Sequence, residues 1–395
     1  MSTQKMKHTV VDMLENNIIP FWKGLCDDEF GGFYGFMDSD LQLNKKADKN
    51  CILTSRILWF FSETARVLQR PDLLDYAEHT YRFLVDHCHD KEHGGVFWSV
   101  TYDGKPKDII KHSYNQAFAI YALSAFYEAS GNRDALDMAF DIFNTIETKC
   151  KEHNGYGEAY DRAFVLIGND KLSENDVLAE RTMNTFLHVF EAYSGLYRAT
   201  KSDDVKKAMY LMLDTYTENI YNPNEKRLDV FFDADWNSLV DMTSYGHDIE
   251  ATWLVEWGCK MLDDPSIMKK VEDINSKIIS NVYDKGYKEG SLRYECVNGI
   301  ENEKRDWWVQ AEAVVGFLSM ARKHPDQPKY LKAAEDIMDF IENKVVDKRP
   351  DSEWLGSLLP DGSLPERRRP MVDGWKCPYH NGRMCLEIIK SNGGI

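Results

Sequence analysis

The amino-acid sequence predicts an all-α fold, an (α/α)6 barrel or toroid with short β-hairpins and loops on its active-site face, and two observations predict it. First, a polar, Gly-rich turn followed by aromatic or alternating residues recurs six times. Second, the stretches between these turns carry apolar residues at helical spacing, and each is long enough for two helices.

The recurring turns read DDEFGGFYGF (27–36), DKEHGGVFWSV (90–100), KEHNGYGEAY (151–160), NPNEKRLDVFF (222–232), DKGYKEGSLRYE (284–295) and WLGSLLPDGS (354–363). Anchored on Gly31, Gly94, Gly155, Glu225, Gly286 and Gly356, they are 63, 61, 70, 61 and 70 residues apart, so six similar units fill the chain. Glycine permits the tight reversal, and the alternating residues after it suit short strands.

Between the turns, Leu53, Arg56, Ile57, Phe60, Phe61 and Thr64 recur at steps of three and four, as do Met183, Phe186, Leu187, Phe190 and Tyr193. A helix pair cannot bury its own apolar faces, so repeated pairs must stack on neighbours. Six pairs with no polar cap at either end close most easily into a ring of six inner and six outer helices. An open helical solenoid is the competing architecture. No linker or low-complexity stretch interrupts the rhythm, so residues 1–395 are expected to form a single domain.

Composition narrows the function. A net charge of −17 argues against partners bound through phosphates, because nucleic acid and anionic membranes repel an acidic surface. A neutral substrate fits better. Aromatic residues make up 12% of the chain and include ten tryptophans, flat surfaces that either pack or stack on ligands. The eight cysteines are scattered without a CxxC pair and read as free thiols. MSTQKMKHTV lacks the basic, apolar and small-residue zones of a secretory signal, and no apolar run approaches the roughly 20 residues that span a bilayer. A cytoplasmic location is expected.

Polar groups on apolar helical backgrounds mark the candidate site, since burying them is costly unless they are paired or used. In RTMNTFLHVFEAY, Asn184, His188 and Glu191 share one helix face. SYGHDIEATWLVEW places His247 and Glu250 three apart near a helix start, where the carboxylate could fix the imidazole tautomer. DWWVQAEAVVGF carries Trp307, Trp308 and Glu312, and DGWKCPYHNGRMCLE carries Trp375 and His380 in a Gly- and Pro-marked loop. Arg56 lies among Ile52, Leu53, Ile57, Trp59 and Phe60, an expensive position without an anionic partner. A lone histidine is usually a core or surface residue, but this company suits proton abstraction beside a carbonyl. One base removes the proton, a cation stabilises the enediolate, and a second group returns a proton from the opposite face. HxxE at 247–250 is not the HExxH zinc pattern, though inward His and Glu side chains could still hold a metal.

At these residues the chain resembles the cellobiose 2-epimerases, within the wider N-acylglucosamine 2-epimerase family. The blocks that carry the likeness are IIPFWKGLCDDEFGGFYGF, KKADKNCILTSRILWF, MNTFLHVFEAYSGLYR, SYGHDIEATWL, WWVQAEAVVGF and WKCPYHNGRMCLE, which run almost end to end. The resemblance implies an (α/α)6 barrel that works without metal or redox cofactor. It implies catalytic roles for His247 and His380 as the acid and base pair, for Arg56 as the enediolate-binding group, and for His188 and Glu250. Tyr114, Asn184, Trp307, Trp308, Glu312 and Trp375 are implied to bind the substrate.

The implied reaction inverts C2 of the reducing-end glucose of a β-1,4-linked disaccharide, turning cellobiose into glucosyl-mannose and lactose into epilactose, with mannobiose a further substrate. A monomer or weak homodimer is expected. Alternatives are a mannose-type aldose–ketose isomerase, an N-acylglucosamine 2-epimerase, a glycoside hydrolase built on Glu250 and Glu312, and a non-catalytic sugar-binding or protein-interaction toroid.

Overall fold

Helices of two kinds alternate along the chain, and the difference between them is written in where their apolar residues fall. The structure is a computed structural model that describes residues 3–169, 171–172 and 177–391. In chain order the helices are α1 (Thr3–Met13), α2 (Cys51–Leu68), α3 (Leu74–Phe83), α4 (Ser113–Ser130), α5 (Arg133–Thr145) and α6 (Met183–Thr200). They continue as α7 (Asp203–Thr215), α8 (Tyr245–Leu262), α9 (Pro265–Asn281), α10 (Trp307–Lys323), α11 (Pro328–Phe340) and α12 (His380–Lys390).

The even-numbered helices are buried on nearly every face. Every residue of α2 from Cys51 to Ala65 is inside. The odd-numbered helices are amphipathic: α5 buries Ala135, Leu136, Met138, Ala139, Ile142 and Phe143, a stripe with steps of one, two and three. A helix apolar all round needs neighbours on all sides, whereas a striped one needs a single partner. The packing follows: α2 lies on α4, α4 on α6, α6 on α8, α8 on α10, α10 on α12, and α12 returns to α2. Each odd helix covers one even helix, and α1 covers α12, so the first helix seals the last. The result is a helical barrel. Its main apolar cluster runs from Met6 to Ile388.

The six polar turns found in the sequence all lie at one end of this barrel. Each of the six outer helices ends in a five-residue π-turn, such as Leu84–Cys88 or Ile341–Val345, which leads into the polar turn in five of them and, after α1, into a further helical segment at Ile19–Lys23. The turn is then closed by short antiparallel pairing, for example His89 with Val96, Tyr221 with Leu228, and Tyr287 with Leu292. Gly31 and Gly94 adopt φ of 81° and 80°, a left-handed conformation in which a side chain would be strained.

A cation two residues before the inner helix clamps several of these turns. Lys49 Nζ donates to Asp27 Oδ2 and to the Gly31 carbonyl, both at 2.6 Å. Lys111 Nζ repeats the arrangement with Asp90 Oδ2 at 3.1 Å and the Gly94 carbonyl at 2.9 Å. Arg181 reaches Glu152 and Asn154, and Arg305 reaches Ser291. At the fourth residue of two inner helices, Gln116 and Gln310 each exchange a pair of hydrogen bonds with one backbone unit, that of Val96 and of Leu292. The turns are therefore tied to the starts of the inner helices, which is what fixes the floor of the site.

The eight cysteines are free thiols, six of them buried. Among the described residues no helix is long and apolar enough to cross a membrane.

Candidate active site

Site residues come from equivalent positions of successive inner helices. The second residue of an inner helix is Tyr114 in α4, Asn184 in α6 and Trp308 in α10. The sixth is Arg56 in α2, Phe118 in α4, His188 in α6, Glu250 in α8 and Glu312 in α10. Because the six helices begin at the same end of the barrel, residues in their first two turns converge. All of these residues except Phe118 and Glu312 line one cleft.

Arg56, Tyr114, Asn184, His188, His247, Glu250, Trp307, Trp308, Trp375 and His380 all line this cleft. Glu312 does not. It lies behind the wall, with Oε1 2.7 Å from His380 Nδ1 and Oε2 accepting from Trp253 Nε1 at 2.9 Å. Its place is to hold a histidine rather than to touch a ligand.

Two further expectations are corrected by the geometry. His380 begins α12 instead of sitting in a loop, because the Pro378 segment delivers the chain directly into the helix start. Glu250 does not orient His247. The partner of His247 Nδ1 is Ser244 Oγ at 2.8 Å, and Glu250 instead accepts from Arg383. His188 and Glu191, which share a helix face at a spacing of three, are bonded to each other, with Nδ1 2.8 Å from Oε2.

Trp308 packs against both of the more deeply perturbed histidines, its ring centroid 4.7 Å from that of His247 and 5.4 Å from that of His380. Opposite charge and polarity gather at Arg56, whose guanidinium donates to Tyr114 Oη at 2.7 Å and stacks over Phe118 at 4.2 Å. Four buried polar atoms of cleft residues, Arg56 Nε, Asn184 Oδ1, Glu250 Oε2 and Trp307 Nε1, have no hydrogen-bond partner among the described residues. Buried polar atoms are normally satisfied, so such atoms beside a cleft suit a ligand rich in hydroxyls.

Burial, with a smaller push from His188, takes His247 down to about 3. His380 is likewise held well below the usual histidine range by burial and by the Arg383 and Arg56 guanidiniums. Both imidazoles are therefore neutral near pH 7 and able to accept a proton. Burial and the neighbouring Glu312 carboxylate lift Glu250 to about 7, while burial also raises Glu312. For Glu191 burial acts upward, but Arg383 and His188 outweigh it and leave the carboxyl at about 2.

Sequence reasoning missed the centre of this network. Arg383, one turn into α12, donates to Glu191 Oε1 at 2.6 Å and to Glu312 Oε1 at 2.7 Å, and it also bonds Glu250 and the Tyr379 hydroxyl. An arginine followed by Met384, Cys385, Leu386, Ile388 and Ile389 was the available signal, of the same kind that singled out Arg56. Ser244, Tyr294, Glu295, Arg369 and Lys171 also line the cleft and were not foreseen. Glu250, Glu312 and His380 have ligand atoms within 4.8 Å of one another, the spacing of a metal site. Arg383 already donates to both carboxylates there, so a cation occupies that position.

Comparison with known proteins places this site in context. Residues 31–381 match the family model described as N-acylglucosamine 2-epimerase (GlcNAc 2-epimerase). The chain is 49% identical to a cellobiose 2-epimerase from Eubacterium cellulosolvens, over 98% of this chain and 99% of the relative. Its structure is similar to that of a cellobiose 2-epimerase from Bacillus thermoamylovorans B4167, with a TM-score of 0.93 and 41% identity over 98% of this chain and 99% of the other. A D-mannose isomerase shares the fold at a TM-score of 0.83 and 19% identity, covering 97% and 98% of the two chains.

Proposed function

Because the chain belongs to the N-acylglucosamine 2-epimerase family, and its cleft gathers two neutral imidazoles and a guanidinium, we propose that it inverts C2 of the reducing-end glucose of β-1,4-linked disaccharides. It is an epimerase, and its relatives of known activity at 39% identity and above are cellobiose 2-epimerases. Cellobiose would give glucosyl-mannose, lactose would give epilactose, and mannobiose would enter the same way. We read the helical barrel as an (α/α)6 toroid forming one domain, with the paired turns on the catalytic face.

The observation that carries the mechanism is that His247 and His380 both pack on Trp308 and both line the cleft, while their Nδ1 atoms are engaged elsewhere. With Nδ1–H directed to Ser244 Oγ in one case and Glu312 Oε1 in the other, each ring presents the Nε2 lone pair to the substrate. Ring opening, assisted by His188 or one of the other histidines, exposes the C1 carbonyl. One of His247 and His380 then removes the C2 proton, and Arg56 holds the cis-enediolate that forms. The inner-helix starts around the cleft add their positive ends to that stabilisation. Rotation about C2–C3 turns the other face, and the other histidine, carrying the O1 hydroxyl proton it took up as the ring opened and O5 was protonated, delivers that proton to C2. On ring closure the first histidine returns its proton to O1 and O5 gives up its own. The developing anion is what makes an imidazolium affordable in so buried a site. Trp307, Trp308 and Trp375 offer flat faces to the sugar rings, and Asn184 and Tyr114 offer hydrogen bonds to hydroxyls.

A glycoside hydrolase reading is disfavoured by the carboxylates. Such enzymes set two carboxyl groups on either side of the scissile bond, roughly 5–10 Å apart. Here Glu250 and Glu312 accept from the same guanidinium nitrogen, and Glu312 stands outside the cleft.

The test is incubation of the pure protein with cellobiose in heavy water. Glucosyl-mannose bearing deuterium at C2 is the expected product. A fructose-ended product would point instead to aldose–ketose isomerisation, and new reducing ends to hydrolysis.

A further inference from the structure

Four donor hydrogens of one buried arginine join the carboxylates behind both sides of the site. Arg383 is 1% exposed. One terminal nitrogen donates to Glu191 Oε1 and to the Tyr379 hydroxyl, and the other to Glu312 Oε1 and Glu250 Oε1. Its guanidinium plane is held between the rings of Tyr379 and Trp253, whose centroids lie 4.2 and 4.8 Å from it. Glu191, Glu250 and Glu312 belong to three different inner helices, and Arg383 to a fourth. These carboxylates do not face the ligand equally. Glu191 bonds His188 Nδ1 and also accepts from the Tyr379 hydroxyl at 2.5 Å, and Glu312 bonds His380 Nδ1.

We infer that Arg383 is a positioning residue that locks Glu191 and Glu312 to one guanidinium, so that the imidazoles of His188 and His380 are oriented as a single unit. This rests on the epimerase reading given above. A planar fork with donors fixed in direction can serve four acceptors at once, which a lysine ammonium on a flexible stem cannot. Each carboxylate needs two things of its neighbour: a charge that keeps it ionised despite burial, and a direction that aims its other lone pairs at a ring nitrogen. Arg383 supplies both, and it supplies them to the two histidines together. A residue acting only as a buried counter-ion would supply the first without the second.

Arg383→Lys and Arg383→Met separate these roles. Folding is checked by circular dichroism and thermal unfolding, and turnover of cellobiose is followed with C2 deuterium uptake. Arg383→Lys keeps the charge and loses the fork. It is expected to fold, to lose about 10²-fold in kcat, the scale of a displacement near 1 Å at a reacting centre, and to keep KM within about threefold. Its pH–kcat profile is expected to move, because the imidazoles lose their fixed partners. Folded Arg383→Lys with kcat within about twofold of the parent and an unmoved profile overturns the inference.

Should neither variant fold, the cycle of Glu191→Gln, Glu312→Gln and the double variant decides. Coupling through one guanidinium predicts that the double variant loses less in kcat than the product of the single losses, and multiplicative losses overturn it. The parent enzyme separates the two readings. Failure of the parent to take up deuterium at C2 removes the epimerase assignment and this inference with it, whereas uptake by the parent and an equal rate in Arg383→Lys removes the inference alone.

Discussion

His380 Nδ1 lies 2.7 Å from Glu312 Oε1, whereas His247 Nδ1 meets the Ser244 hydroxyl, so these two imidazoles of the cleft are supported by groups of different charge. An imidazolium next to a carboxylate is favoured over one next to a hydroxyl. Replacement of Glu312 by Gln keeps a hydrogen-bond acceptor and removes the charge. It is expected to lower kcat by about 10²-fold or more, within the contribution typical of general acid–base catalysis, with a smaller effect on KM. Steady-state kinetics on cellobiose check this, and an unchanged kcat would remove the proposed role of Glu312.

The pH dependence follows from His247 and Glu250. His247 is lowered to about 3, so its basic form persists throughout the range in which an ordinary histidine would titrate. Glu250 is raised to about 7 and carries its proton below that pH. The profile of kcat/KM, which reports the free enzyme, should therefore lack an acid limb from His247 near the usual histidine value of about 6.5, and its inflection near 7 should disappear in Glu250→Gln. An inflection near 7 that persists in Glu250→Gln contradicts the assignment.

In the proposed mechanism Arg56 meets charge that exists only after C2 is deprotonated. Arg56→Ala is expected to reduce kcat by about 10²–10³-fold, the loss seen when one donor to a developing oxyanion is removed, and to change KM less. Equal losses of ground-state and transition-state binding, seen as a raised KM with unchanged kcat, would mean that Arg56 only binds sugar.

Asp248 offers a stability measurement independent of catalysis. Burial raises it to about 8 from an ordinary 3.8, and its Oδ1 accepts from Leu228 N at 3.0 Å. Across that window the folded chain holds a proton that the unfolded chain has released, so this residue costs stability progressively as pH rises toward 8 and no further beyond it. Asp248→Asn keeps an acceptor and has no proton to lose. The difference in Tm between Asp248→Asn and the parent should shift in favour of the variant between about pH 4 and 8, then level off. A constant difference over that range refutes the shift.

Lys49 and Asp27 form an ion pair whose side chains are 2% and 0% exposed. Lys49→Met leaves Asp27 without its cation in a buried site, a change expected to cost about 3–5 kcal/mol of stability. Chemical denaturation measures it. The doubly substituted Lys49→Met, Asp27→Asn chain should recover part of the loss, since the uncompensated charge is then gone.

Much of the architecture was legible because it repeats. Gly31, Gly94 and Gly155 recur at near-constant separation, and apolar steps of three and four fill the intervals, so six helix pairs could be counted from the chain alone. That His188 and Glu191 share a helix face was legible for the same reason, since a spacing of three on a helix is a local geometric fact; that they bond each other is a finding of the structure. The assignment of Glu250 to His247 used that rule and failed. Ser244 stands closer to the imidazole, and Arg383, 133 residues away, draws the carboxylate elsewhere.

By itself, then, the sequence determined the periodicity, the number of units and the face that His188 and Glu191 share, because these depend on short-range spacing and on which faces must leave water. Ring closure decided the rest. It brought Arg383 of the last helix against Glu191, Glu250 and Glu312 of three others, and set Glu312 behind His380 instead of in the cleft. Those partnerships join residues 68 to 192 positions apart, and the electrostatic preference of a buried charge for the nearest opposite charge acts through space, where no local pattern records it.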